Sequence, residues 1–439
     1  MVVKGESHMV GRIIAVHDSI VSIEIGEEQP DIKELLQLVD HPGVILQVES
    51  FIAPTMIVCV NLRSSFEVKK GLAVKRLRRT IVVPVGPQTI GRIFNALGEP
   101  IDGGVALDME GSRPIHIPAR EAQINQTNTS QLLETGIKVI DFLAPFVKGR
   151  KIGIIGGAGV GKTVLMTELI HNVSMHGAGL SFFVGIGERI REAHEMYLTL
   201  QERGLLDKTI MFLGQMNEGP AMRKLTGPAA VTLAEYFRDT GKDILFFVDN
   251  MYRYVQASNE QSTLMNRTPS QGGYQPTLLS DIKSIQDRLT SSSKGSITSI
   301  QTIYVPADDL TDPAVQAIQH ELDSVIVLSR TIAEQGTRPA IDILRTTSSL
   351  LTPEIVGDRH YELVVRVQTI MQKYESLKNI TTIIGENELS VADRADYAKA
   401  KQLITFFNQY AVSIEDLTGK KGQYFTREQT LDGIEGIVS

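Results

Sequence analysis

The chain has 439 residues and a formal net charge of −7, from 44 lysines and arginines against 51 aspartates and glutamates. Hydrophobic residues make up 42% and charged residues 22%, a composition that excludes disordered, collagen-like and disulfide-scaffold proteins. The length favours about three domains, and the acidic balance argues against a mainly nucleic-acid-binding chain. The single cysteine, Cys59, cannot form an internal disulfide, fits a reducing compartment and is expected in a strand core.

Neither a membrane span nor a secretion signal is expected. The apolar runs, such as residues 244–248, are far shorter than the roughly 20 residues that cross a bilayer. Residues 1–12 carry charges and no apolar signal core.

The chain divides into three segments by its patterns. Residues 1–79 alternate apolar and polar residues with period two between turn residues, which predicts a small β-barrel or sandwich. Residues 80–356 alternate apolar runs with helical patterns, which predicts an α/β fold with a mostly parallel sheet and helices on both faces. The apolar runs are residues 152–155, 180–184, 209–213, 244–248, 299–305 and 324–328.

The third segment, residues 357–439, is predicted to be a helical domain. One apolar stripe at helical spacing consists of Leu363, Val364, Val367, Ile370 and Met371. A second, less regular stripe consists of Ala395, Ala398, Leu403, Ile404 and Phe407.

The strongest functional signal is a complete G-x-x-x-x-G-K-[ST] motif. It consists of Gly156, Gly157, Ala158, Gly159, Val160, Gly161, Lys162 and Thr163. An apolar strand precedes it and a helix-forming run follows it, the context that a phosphate-binding loop needs and that a chance glycine turn would lack. Lys162 is expected to reach the β- and γ-phosphates of a nucleotide, and the Thr163 hydroxyl to ligate Mg²⁺.

Two carboxylates are expected beside this loop. Asp249 ends the run at residues 244–248, and because ligands bind at the carboxyl ends of parallel strands, it is predicted to associate with Mg²⁺. Glu188 follows the run at residues 180–184 and should emerge at the same edge of the sheet. It could orient or deprotonate an attacking water, or it could be a helix-start carboxylate stabilised by the helix dipole.

Further motifs are spread along nearly the whole chain. They are residues 156–165 (GGAGVGKTVL), 187–189, 214–218, 234–239, 247–250, 274–278 and 295–313 (GSITSIQTIYVPADDLTDP). With these stretches the chain, from about residue 10 to about residue 419, resembles the catalytic β subunit of rotary F-type ATP synthases. The run at residues 295–313 separates it from flagellar, secretion and vacuolar-type ATPases and from the Rho helicase, which share the fold.

The resemblance implies an activity and roles for site residues. It implies ATP synthesis or hydrolysis with Mg²⁺ and ATP or ADP as ligands, and it makes Glu188 the water-activating carboxylate. Arg189 and Arg253 would neutralise developing phosphate charge, unless they are surface or salt-bridging arginines. Glu192 would help to order the water shell of the metal, and Tyr304 would lie near the nucleotide.

The resemblance also implies an assembly. The three segments would be a crown barrel, a nucleotide domain and a helical domain, in a ring of six that alternates with homologous α-type subunits. A neighbouring subunit would supply an arginine in trans, and a γ-type central shaft would connect the ring to an ion-translocating membrane sector. We therefore expect the chain on the cytoplasmic face of a membrane, that of a bacterial cell, and we expect no nucleic-acid partner.

Several positions depart from the family pattern. The aromatic residue that stacks on adenine is replaced by Arg338, before Pro339, while two other positions of the base pocket hold Tyr410 and Leu417. Arg338 could still lie over a base through its planar guanidinium, or the pocket could discriminate bases less. Ile190 replaces a threonine, and the shaft-facing motif, residues 386–393, lacks its central acids. Two further departures, near the subunit boundary, are Arg345 and Ser349.

Two other functions stay open. The altered base pocket and shaft-facing motif would suit a nucleotide-binding structural subunit that is catalytically idle. A basic cluster in residues 69–79 would suit a Rho-like RNA translocase, but only Phe66 could serve there as a stacking platform. We expect that cluster to be a solvated barrel face or a subunit contact.

Overall fold

The computed structural model describes residues 9–63, 67–117, 131–176, 179–386, 389–415 and 419–439. Its first strands are β1 (Met9–His17), β2 (Ile20–Ile25), β3 (Leu35–Leu38), β4 (Ile45–Ala53), β5 (Met56–Asn61) and β6 (Ala73–Arg76). They form a closed antiparallel barrel in the order β1-β2-β5-β4-β3-β6. Alternation in β2 buries Val21, Ile23 and Ile25 in the interior, and Cys59 is buried with them. The predicted barrel and the core position of Cys59 are confirmed.

The central part of the chain is built on an eight-stranded sheet. The strands from here on are β7 (Val82–Val83), β8 (Ile93–Phe94), β9 (Arg113–Pro114), β10 (Leu132–Leu133), β11 (Phe146–Val147), β12 (Lys151–Gly156), β13 (Leu180–Glu188), β14 (Thr209–Gln215), β15 (Ile244–Asp249), β16 (Ile297–Tyr304), β17 (Ser324–Val327) and β18 (Thr347–Ser348). The order in the sheet is β18-β17-β12-β16-β15-β13-β14-β8. All neighbours are parallel except β17 and β18. Each of the six predicted apolar runs is a strand of this sheet.

Helices cover both faces of the sheet. The α-helices of the described residues, including those of the C-terminal part, are α1 (Lys138–Leu143), α2 (Lys162–His176), α3 (Ile190–Glu202), α4 (Pro220–Asp239), α5 (Met251–Leu264), α6 (Leu278–Gln286), α7 (Pro313–Gln319), α8 (Arg330–Glu334), α9 (Pro353–Val356), α10 (Asp358–Ile384), α11 (Val391–Phe407) and α12 (Arg427–Val438). Neighbouring strand residues point to opposite faces. Phe182 and Phe246 pack with α4 and α5, whereas Phe183 and Phe247 pack with α2. The predicted α/β architecture is confirmed.

The C-terminal part is helical, as predicted, and one of its two predicted stripes is correct. All five residues of the stripe on α10 are buried. On α11 the prediction is partly wrong, because Ala395 and Ala398 are exposed. The buried face of α11 runs at helical spacing through Tyr397, Ala400, Leu403 and Phe407, and the ring of Tyr397 lies 4.8 Å from the ring of Tyr374, tilted by 37°. None of the helices in the described ranges combines the length and the apolar character that crossing a membrane requires.

Candidate functional site

The glycine-rich motif joins strand β12 to helix α2, as the sequence predicts. Gly161 has a φ of +93°, a conformation that residues with a side chain rarely adopt. Gly157 lies close against two side chains. A Cβ at this position would overlap the carboxylate of Asp308 and lie 3.2 Å from Nη2 of Arg330.

The ammonium group of Lys162 is held inside this loop. It donates hydrogen bonds to the carbonyl oxygens of Gly156, at 2.6 Å, and of Gly157, and its Nζ lies 5.5 Å from the centroid of the Tyr304 ring. Burial lowers the pKa of Lys162 to about 8, against the attraction of Asp249. An ammonium held by neutral carbonyl oxygens gains a stronger partner when a phosphate enters the loop.

Asp249 ends β15 at the same edge of the sheet. The hydroxyl of Thr302, on the neighbouring strand β16, donates a hydrogen bond of 2.6 Å to its Oδ1 atom. Burial raises the pKa of Asp249, and the hydrogen bond from Thr302 and the charges of Arg253 and Lys162 oppose the rise. Thr163, at the start of α2, is exposed and lines the same cleft as Asp249. The two predicted metal ligands are therefore brought to one place.

Glu188 ends β13 in this cleft, with only 5% of its surface exposed. Its Oε1 accepts the N–H of Arg189 at 3.2 Å, and its Oε2 lies 3.5 Å from Nη1 of Arg253. Burial raises the pKa of Glu188, and its hydrogen bond with Glu192 raises it further. The acidic residue in the first turn of α3 is Glu192, so Glu188 is a buried cleft residue and not a helix-start carboxylate.

The remaining predicted residues surround Glu188. The hydrogen bond with Glu188 and the nearby arginines lower the pKa of Glu192. Arg189 is exposed, with its Nη1 3.6 Å from Oε1 of Glu192. Arg253, on α5, donates to the carbonyl oxygen of Gly187. All of these side chains line one cleft with the phosphate loop and Tyr304.

Two residues of the cleft were not predicted. Asn250 is the N-cap of α5, and its Oδ1 accepts the N–H of Tyr252 at 2.9 Å and the N–H of Tyr304 at 3.2 Å. An asparagine directly before a helix is a recognisable cap signal. Gln256 lines the cleft because it lies one helical turn after Arg253.

A second pocket, mostly apolar, adjoins the phosphate cleft. Gly161 and Val164 line both. The predicted base-pocket residues Arg338 and Tyr410 both line the second pocket, while Leu417 lies outside the described residues. Apolar residues that the sequence analysis did not assign to this pocket make up much of its wall: Ile137, Val160, Val164, Leu165, Leu328, Pro339, Ala340 and Ala411.

The two predicted base-pocket side chains are held by polar contacts. Nη1 of Arg338 donates to the carbonyl oxygens of Ala333, at 2.8 Å, and of Thr337, at 3.0 Å. The hydroxyl of Tyr410 accepts a hydrogen bond of 2.7 Å from Lys420, whose Nζ also lies 4.4 Å from the centre of the Tyr410 ring. The pocket therefore combines apolar walls with the Arg338 guanidinium, the Tyr410 ring and the polar side chains of Glu168 and Gln409.

Comparison with protein families agrees with this geometry. Residues 136–348 match the nucleotide-binding domain of the ATP synthase alpha/beta family. This part of the chain is thus similar to that family. Residues 351–420 match the C-terminal domain of V and A type ATP synthase. The chain is thus an ATP synthase-type subunit that binds ATP or ADP, and the family implies an oligomeric ring with other subunits.

The oxygen ligands in the cleft fit the magnesium ion that accompanies nucleotides in such ATP synthase domains. Mg²⁺ is usually bound by one or two carboxylates together with substrate phosphates, not by a cage of protein side chains. Within the described residues, no three His, Cys, Asp or Glu side chains gather into such a cage. Thr163 and Asp249 offer a hydroxyl and a carboxylate beside the loop, and both are hard oxygen donors.

Proposed function

We propose that this chain is the catalytic subunit of a rotary ATPase, of the F-type β class, and that it hydrolyses or forms ATP. The observation that carries the proposal is the buried carboxylate of Glu188, in one cleft with Lys162, Asp249 and Arg253. A subunit that only bound nucleotide would need the phosphate loop, but it would not need a buried acid beside that loop.

The proposed role of Glu188 is to orient a water molecule for in-line attack on the γ-phosphate and to accept its proton. As the new bond to phosphorus forms, the bond to the leaving ADP oxygen breaks. A general base must lose its proton before it can act. The charge of Arg253 lowers the pKa of Glu188 against the rise that burial causes, and bound Mg²⁺ would act in the same direction. In the direction of synthesis, the same carboxylate returns the proton to the departing water.

The cations of the cleft would offset the charge that develops on the phosphates. Lys162 lies in the loop, Arg253 lies 3.5 Å from Glu188, and Arg189 lines the open side. Mg²⁺ bound with the nucleotide would neutralise further charge on the β- and γ-phosphates.

The F-type β assignment rests on the run at residues 295–313, whereas the C-terminal match is described for V and A types. We extend the proposal to the three-domain division at residues 79 and 356, and to a ring with homologous α-type subunits at the cytoplasmic face of a membrane.

The described end of the α10–α11 hairpin supports contact with a central shaft through packing. It exposes Ile380, Ile383 (84%) and Val391 (86%). Residues 387 and 388 of the shaft-facing motif, residues 386–393, lie outside the described part of the chain.

A catalytically idle subunit is the second candidate, and the observation that favours it is Arg338 in place of a stacking aromatic residue. The RNA-translocase hypothesis is weaker. Two arginines of the basic cluster are engaged within the barrel, since Arg76 pairs with Glu34 and Arg78 with Glu28, both at 2.6 Å. Phe66 lies outside the described residues.

Steady-state ATP hydrolysis tests the proposal, measured for the chain alone and mixed with its α-type neighbour. Glu188→Gln keeps the size of the side chain and removes the base, so turnover of the mixture should fall by about 100-fold or more. Mg-ADP binding should stay within about twofold, because the phosphate loop is intact. The matched control is Glu195→Gln on the exposed side of α3, which should change neither quantity.

The outcomes separate the candidates. Turnover that needs the partner and disappears with Glu188→Gln would support the catalytic proposal. Turnover that survives Glu188→Gln would refute the role of this carboxylate. ADP binding without turnover in any assembled mixture would refute catalysis and support the idle subunit.

A further inference from the structure

Glu168, on helix α2, is a buried carboxylate that the proposed chemistry does not use. Only 2% of its surface is exposed. Its Oε2 accepts the N–H of Ser413 at 2.7 Å, and its Oε1 accepts the N–H of Val412 at 3.1 Å and the amide of Asn172 at 3.2 Å. Val412 and Ser413 lie 244 and 245 residues further along the chain. The contact therefore exists only while the C-terminal segment is docked on α2.

Gln409 holds the other end of the same segment. Its Nε2 donates to the carbonyl oxygens of Gly136 and Gln423, each at 2.7 Å, and its Oε1 accepts the N–H of Lys138 at 3.0 Å. Residues 409–413, here called the base-wall segment, include Tyr410 and Ala411, which line the apolar pocket. Buried polar groups thus anchor this segment on both sides of Tyr410.

Helix α2 connects the two parts of the nucleotide site. It begins at Lys162, and Glu168 follows six residues later, about 9 Å along the helix axis. The same helix contributes Val164 and Leu165 to the apolar pocket. A helix is stiff over this length. The distance between the phosphate loop and the base-wall segment is therefore fixed whenever Glu168 holds that segment.

We propose that Glu168 is a positioning residue for the nucleotide base. It holds the base-wall segment against α2, so that the pocket around the base is formed only while the C-terminal domain is docked. The inference rests on the proposed nucleotide site and adds that this contact sets the affinity for the base and not for the phosphates.

The expected effect follows from the hydrogen bonds that are lost. Glu168→Ala leaves the part-buried N–H groups of Val412 and Ser413 without their acceptor, which is unfavourable. Glu168→Gln keeps the size of the side chain but turns one acceptor oxygen into a donor that faces an N–H group. We expect ADP binding about 30-fold weaker for the alanine variant and about tenfold weaker for the glutamine variant.

Equilibrium titration calorimetry on the full chain tests this, with Mg-ADP and Mg-tripolyphosphate as the two probes. Tripolyphosphate carries the phosphates without a base. Both Glu168 variants should lose affinity for ADP and keep tripolyphosphate binding within about twofold of wild type. Glu362→Gln, at an exposed position of α10, is the matched control and should change neither. Hydrogen exchange at the amides of Val412 and Ser413 should speed up in both Glu168 variants.

Three results would overturn the proposal. Equal losses for ADP and tripolyphosphate would show that Glu168 only keeps α2 folded. Unchanged ADP binding in Glu168→Gln, with thermal unfolding as the check of folding, would show that the contact does not position the base. If the wild-type chain binds neither probe, the proposed nucleotide site itself is refuted. This result distinguishes failure of the proposed function from failure of the Glu168 role alone.

Discussion

Replacing Thr302 by valine tests whether the hydrogen bond that Thr302 donates to Asp249 supports metal-dependent nucleotide binding. Thr302 is fully buried, and its hydroxyl lies 2.6 Å from Oδ1 of Asp249. Valine has nearly the same shape, so the change removes one hydrogen bond to a carboxylate and creates no cavity. Hydrogen bonds to charged groups contribute about 1.5–3 kcal/mol to stability. Mutation of a residue that hydrogen-bonds to a metal ligand lowers the affinity for the metal by about 10–100-fold. We therefore expect Mg-dependent ADP affinity to fall by about 10–30-fold.

Titration of ADP in Mg²⁺ and in EDTA separates the metal contribution from the rest. Thr302→Val should weaken binding in Mg²⁺ and leave binding in EDTA within about twofold. Thr302→Ser keeps the hydroxyl and should bind like wild type. Thr298→Val is a second control on the same strand, because its hydroxyl accepts the N–H of Gly149 and does not contact Asp249.

Two results would contradict this reasoning. Equal weakening in Mg²⁺ and in EDTA would mean that Thr302 supports the shape of the cleft and not the metal ligand. Wild-type affinity for Thr302→Val in Mg²⁺ would mean that the hydrogen bond to Asp249 has no part in binding.

Two further predictions concern stability. Burial lowers the pKa of Lys162 from 10.5 to about 8, so between these pH values the unfolded chain binds more protons and the free energy of unfolding rises with pH. In urea titrations, Lys162→Met should be more stable than wild type at pH 8 and should lose that advantage by pH 10. The same difference in the free energy of unfolding at both pH values would contradict the burial argument. On α10, Val367→Ala at a fully buried position should destabilise by about 2 kcal/mol. Val365→Ala, 47% exposed on the same helix, should change stability by less than about 0.5 kcal/mol.

Features that depend on neighbours in sequence could be predicted well. The phosphate loop is one, because its glycines, lysine and threonine act within eight consecutive residues between one strand and one helix. The six strands and the stripe on α10 are others, since continuous apolar runs and helical spacing report directly which side chains are buried. The stripe on α11 was harder to predict, because alanine is small enough to be either exposed or buried. On this helix Tyr397 is buried, whereas Ala395 and Ala398 are exposed.

The arrangement around the loop needed the packed structure. Glu188 could be read from the sequence as a catalytic acid or as a helix-start carboxylate. Its burial and the 3.5 Å approach of Arg253, which lies on helix α5, place Glu188 in the cleft. The base pocket was predicted only through Arg338 and Tyr410, because most of its walls are ordinary apolar residues that carry no sequence signal of their own.

The sequence by itself determined that this chain has an N-terminal all-β part, a parallel sheet with a phosphate-binding loop and a helical C-terminal part. These features follow from local periodicity and from one contiguous motif. Only the tertiary structure decided that Glu168 on the phosphate-loop helix would meet the backbone of Val412 and Ser413. Such a contact depends on how two distant segments pack, and backbone N–H groups are the same in every residue but proline, so no residue pattern marks where it will form.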